Sequence, residues 1–167
     1  MRKLISLTFS LALLFGACSS DKTGNFRLYL TDKPIVDAEK ILVNISEIRV
    51  QKTGEAFLTI WQGRQTFDLL ALKAKEQKIV DIQLEEGDYT QIRLIVDSGS
   101  IIVNGQNYGM EVPSSEVKIP VVFSISEAGA TEIVLDFDAE NSIEVVHNGG
   151  GDSYILRPVI IVKSISY

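Results

Sequence analysis

The chain of 167 residues holds one histidine and one cysteine and carries a formal net charge of −6. An acidic balance of this kind argues against nucleic acid as a partner and against electrostatic docking on anionic lipid. A single cysteine excludes internal disulfides and any cysteine-based zinc set within the chain.

The first predicted element is a leader. Met1-Arg2-Lys3 places two positive charges ahead of 12 uncharged residues, Leu4–Phe15, and small Gly16 and Ala17 follow. This is the layout of a secretory signal peptide, and the run falls short of the roughly 20 residues a membrane span needs. "LFGAC" resembles the bacterial lipobox, in which the thiol is acylated and cleavage leaves the cysteine first. Phe15 stands where an aliphatic residue is commoner. The expectation is therefore a lipoprotein signal peptide over 1–17, a palmitate-bearing Cys18, and a short linker over 18–25. Several acyl chains together give a lasting anchor where one alone is marginal. Ser19, not aspartate, follows the cysteine, which points to the outer membrane of a bacterial cell envelope and leaves periplasmic or surface orientation open. Loss of Arg2 and Lys3 takes the 16 basic residues to 14 against 22 acidic ones, a net near −8. An acylated Cys18 also leaves the folded domain without a thiol nucleophile.

From Phe26 to Tyr167 the chain predicts a single all-β domain. Short runs rich in Val, Ile, Phe, Tyr and Thr alternate with Gly, Asn and Asp breaks. "NFRLYLTD" alternates Phe26, Leu28 and Leu30 against Arg27 and Tyr29. "KILVNISEIRV" keeps the same period until its phase slips between Ile45 and Ile48, where a bulge absorbs the extra residue. Further strands are expected over 55–61, 65–71, 78–84, 89–97, 100–104, 107–112, 117–125, 131–138, 142–147 and 154–165. "KTGE", "WQGR", "EEGD", "DSGS" and "NGQN" serve as separators, with Asn104-Gly105 the strongest hairpin signal. "LLALKAKEQK" over 69–78 supports a helical turn or two at most. "LEEGDYTQIRL" fits a tyrosine corner, with Tyr89 bonding back to the chain a few residues upstream. That corner favours a Greek-key β-sandwich, Ig-like or transthyretin-like, over a closed barrel. Strands 78–84 and 107–112 are the expected sheet edges, open to a partner strand.

Catalytic signatures are scarce. His147, in the glycine-rich "VVHNGGGDS", reads as a solvated loop residue rather than a triad member. "GGGDS" lacks the lysine and the following helix of a phosphate loop. Trp61 reads as core and Tyr108 as a loop-side aromatic. Carboxylates alone show organisation. Asp136 and Asp138 lie two apart in "IVLDFDAENS", on one strand face at roughly 7 Å spacing, and Asp32 ends a strand in "LTDKP" before Pro34. Convergence of the three would make a candidate ligand or cation site for calcium, although "DFDAENSIEVVH" has Asn141 and His147 at the sixth and twelfth positions where an EF-hand needs glycine and glutamate. The structural alternative is that aspartates at strand ends cap turns. Two aspartates on one strand do not flank a cleft as glycoside hydrolysis requires.

In order, "LTDKP", "VNISEIRV", "FDLL", "GDYTQIRL", "VPSS", "LDFDAENSI" and "YILRPVI" resemble the family known as domain of unknown function 4382. The resemblance spans about 26–165 and implies a secreted or lipid-anchored bacterial or archaeal domain, with no catalytic residues to carry over. The sequence thus predicts a lipid-anchored envelope protein that is not an enzyme. Its expected role is a binding or assembly module for an envelope protein or glycan. The alternatives are a carboxylate-based hydrolase and a calcium-binding structural module.

Overall fold

The computed structural model describes residues 22–32, 38–73, 75–149 and 151–167. The expected signal peptide, Cys18 and Pro34 lie outside the described residues. Two mixed sheets pack into a sandwich. The smaller has the order β11-β8-β1-β4, formed by Ile160–Ser166, Ala130–Phe137, Thr23–Asp32 and Gln77–Glu85. The larger has the order β3-β2-β5-β6-β10-β9, formed by Phe57–Asp68, Lys40–Lys52, Gly87–Val103, Gln106–Glu111, Gly151–Leu156 and Ile143–Asn148. Here β7, Glu116–Ile125, pairs with the first half of β5, while β6 takes the second half.

Period-two alternation explains which faces meet. Phe26, Leu28 and Leu30 of β1, Ile41, Val43 and Ile45 of β2, and Ile92, Leu94 and Val96 of β5 are all buried in one core, because successive strand side chains point to opposite faces. The phase slip in β2 is real: its register shifts between Ile45 and Glu47 against both neighbours. Asn104 and Gly105 both adopt positive φ, 51° and 73°, at the β5–β6 hairpin. Tyr89 forms its corner, its hydroxyl donating to the Glu85 carbonyl at 3.0 Å while its ring stacks on Phe123 at 5.1 Å.

Several boundaries differ from the sequence expectation. "WQGR" is no turn; β3 runs through it, and the Trp61 ring lies over Gly63, where a Cβ would stand 3.0 Å from Trp61 Cζ2. Trp61 is accordingly only partly buried at the edge of the core. "DSGS" is no turn either, since β5 continues across it for 17 residues. Gly99 is there for close packing: a Cβ would meet Met110 Cε at 2.6 Å and Leu156 Cδ2 at 2.8 Å. The run 154–165 is two strands, divided by Arg157-Pro158-Val159 where the chain crosses between sheets. Among the described residues a single 3-10 turn follows β3, Leu69–Leu72, and it buries Leu69 and Leu72. β1 begins at Thr23, ahead of the expected start at Phe26. Of the two expected edges, β4 is one; β6 is paired on both sides, by β5 and β10.

Candidate functional site

The aspartates lie at the end of the sandwich where β8 passes to β9, and β10 to β11, between the two sheets. β8 stops at Phe137, so Asp138 is not a strand residue. It caps the short helix α1, Ala139–Ser142, its carboxylate accepting from the Asn141 amide at 3.1 Å and from Asn141 Nδ2 at 2.8 Å. Such capping satisfies amides that a helix start leaves orphaned. Asp32 ends β1 in register with Phe137, on the core side, and its Oδ1 accepts from the Ala139 amide at 3.2 Å.

Ser142 completes the junction. Its hydroxyl donates to the Asp138 carbonyl at 2.6 Å and accepts from the Val159 amide at 2.8 Å. The Ser142 carbonyl receives the Arg157 amide, and the Val159 carbonyl receives the Asp138 amide. The β8–β9 and β10–β11 crossings are therefore fastened to each other and to the end of β1. Reading "DAENS" for carboxylates alone missed Ser142. The available signal was a serine four residues after a capping aspartate, within bonding reach of its carbonyl.

Asp136 is turned the other way. It sits in register with Thr31, so the two share the face opposite Asp32 and Phe137. It is buried, and its Oδ1 has no hydrogen-bond partner among the described residues. The fold thus brings Asp32 and Asp138 to one turn and sends Asp136 to the far side of the sheet. Among the described residues no three His, Cys, Asp or Glu side chains form a group able to hold a metal ion.

His147 lies on the β9–β10 hairpin opposite Asp152, with Nδ1 2.8 Å from Asp152 Oδ1, and it is well exposed. The larger sheet's outer face carries a charged ladder instead. Glu47 takes two bonds from Arg49, at 2.8 and 2.6 Å, and one from Thr59. Those bonds, the Arg49 ones foremost, lower the Glu47 carboxyl to about 2. Arg93 reaches Glu116 at 3.1 Å and covers the Phe57 ring.

Beside the aspartate junction lies an apolar groove of about 310 Å³. Ile101 and Val103 of β5, Ile143 and Val145 of β9, and Tyr154 of β10 line it, together with Ala38, Glu140 and Asp152. These residues come from four separate stretches, and no local motif announces them. Tyr108, the loop-side aromatic of the sequence reading, is instead partly buried on β6, its ring 5.3 Å from that of Tyr154.

These features define an all-β sandwich domain in which Asp32 and Asp138 organise a junction between strand ends. The chain belongs to the family described as domain of unknown function 4382 (DUF4382), whose model matches residues 23–158. No curated protein and no solved structure matches it. Three of the motifs that carried the resemblance, "LTDKP", "LDFDAENSI" and "YILRPVI", supply Asp32, Asp138 with Ser142, and Arg157 with Val159 to that one junction.

Proposed function

We propose that this is a lipid-anchored protein of the bacterial cell envelope, most at home on the outer membrane, acting as a non-catalytic binding or assembly module. The observation that carries the non-catalytic reading is the engagement of Asp32 and Asp138 in bonding the amides of Ala139 and Asn141. Asp136 faces away from both, so these three carboxylates do not converge on one substrate or cation, and neither the hydrolase nor the calcium alternative gains support. The anchor reading rests on the leader and on Cys18. Four residues separate Cys18 from the start of β1 at Thr23, and the five Cα–Cα steps reach at most about 18 Å, so an acylated Cys18 holds the sandwich close to the bilayer.

For a partner, the open side of β3 supports strand addition, in which backbone groups at a sheet edge pair with a visiting chain. β3 is a 12-residue edge with Leu58 half exposed. The partner would be an envelope protein on this reading, a glycan being the other candidate. The test has two arms. Metabolic labelling with a palmitate analogue should mark the wild type and not Cys18→Ser; equal labelling of both sinks the anchor. Crosslinking in intact envelopes should yield a defined adduct through β3 that Leu58→Lys abolishes. An adduct indifferent to that change removes β3 as the docking edge.

A further inference from the structure

The groove beside α1 has a chemical character that the junction does not explain. Its floor is preformed: Ile101 is 6% and Tyr154 7% exposed, while Val145 at the mouth is 43% exposed. Its volume lies at the lower end of the range for small-molecule sites. The described residues that line it carry two carboxylates, Glu140 and Asp152, and no basic group. Beside the groove, His147 Nδ1 lies 2.8 Å from Asp152 Oδ1, and the Arg157 guanidinium is engaged by Glu144 at 3.3 Å. An anion entering this groove meets like charge on an apolar wall, whereas an amphipathic cation meets an apolar wall with its hydrocarbon and a carboxylate with its charge.

We propose that the groove binds a small amphipathic organic cation of the alkylammonium class. Its hydrocarbon part packs on Ile101, Val103, Ile143 and Val145, and its ammonium is drawn to the carboxylates that border the groove, Glu140 on the α1 side and Asp152 on β10. The Tyr154 ring adds a π-surface suited to an ammonium group. The size of the groove limits the ligand to a short chain or a single ring. The inference does not depend on the envelope reading, because it uses only the groove's own walls and charges.

The test uses the full chain as its Cys18→Ser variant, with methyl-labelled Ile and Val followed by NMR. The probes are hexylammonium, 1-hexanol and hexanoate at millimolar concentration, with propylammonium as the short-chain control. Hexylammonium should shift the methyls of Ile101, Ile143 and Val145 and bind about three- to tenfold more tightly than 1-hexanol, the scale of solvent-exposed ion pairing. Hexanoate should be weakest. Propylammonium should bind at least about tenfold more weakly than hexylammonium, since each methylene withdrawn from water is worth roughly fourfold. Both carboxylates are exposed, so the double variant Glu140→Gln, Asp152→Asn should fold and should bring hexylammonium to within about twofold of the alcohol. No shift at the groove methyls, equal binding of alcohol and ammonium, or discrimination that survives the double variant would each overturn the proposal.

Discussion

Replacing Gly99 with alanine tests the packing argument at its sharpest point. The new methyl would stand 2.6 Å from Met110 Cε, 2.8 Å from Leu156 Cδ2 and 3.3 Å from the Leu42 carbonyl oxygen. Two of those are side-chain ends that can retreat, but the carbonyl belongs to β2 and cannot. Overfilling a packed site costs about 1–3 kcal/mol. Gly99 occupies ordinary strand conformation, so alanine also returns about 0.4–1 kcal/mol by restricting the unfolded chain. The net expectation is a loss of about 1–2 kcal/mol, or roughly 3–6 °C in melting temperature for a domain of this size. Urea unfolding followed by the fluorescence of Trp61, the single tryptophan, measures it. Met110→Ala opens space at the nearest contact, so Gly99→Ala should lose at least about half of its cost in that background. A Gly99→Ala protein as stable as wild type, or an equal loss in both backgrounds, would refute the steric account.

Two further outcomes follow from the side-chain network. Tyr89→Phe keeps the ring stacked on Phe123 and removes only the bond to the Glu85 carbonyl, so it should cost about 1 kcal/mol. Tyr89→Ala should cost about 3–5 kcal/mol through loss of the ring, and comparable losses for the two changes would sink the corner assignment. Glu47 has its carboxyl lowered to about 2 by Arg49 and Thr59, so its stabilisation is complete above about pH 4.5 and drains away as pH falls toward 2. Discounted for the partly exposed Arg49, the contribution is about 1–2 kcal/mol. Glu47→Gln should therefore be less stable than wild type at pH 7 and converge with it near pH 2, and a gap of constant size across that range counts against the network.

Much of the architecture was legible because burial in a sheet imposes a period of two. Phe26-Leu28-Leu30 and Ile92-Leu94-Val96 declared both strand and face, and the slip between Ile45 and Ile48 declared the bulge. Asn104-Gly105 was readable because a two-residue hairpin demands positive φ at both places. Gly63 and Gly99 misled for a physical reason. Glycine serves turns through its backbone freedom and serves packing through its missing side chain, and a single sequence does not separate the two uses. The aspartates show a similar limit. That Asp136 and Asp138 are two apart implies one face only while the strand lasts, and β8 ends between them. The groove was illegible because its walls are assembled from β5, α1, β9 and β10 by the topology alone.

The placement of β1 has a consequence for how the molecule comes into being. The first strand of the chain lies between β4 and β8, and its Arg27 bonds Glu132, 105 positions away, at 2.6 Å. Any route that delivers the chain N-terminus first leaves β1 without half of its pairing until nearly all of β8 has emerged. Closing so long a loop is entropically costly and slow. The smaller sheet is thus a late event, and a chain halted before residue 130 presents β1 as an apolar edge exposed to whatever binds unfinished strands.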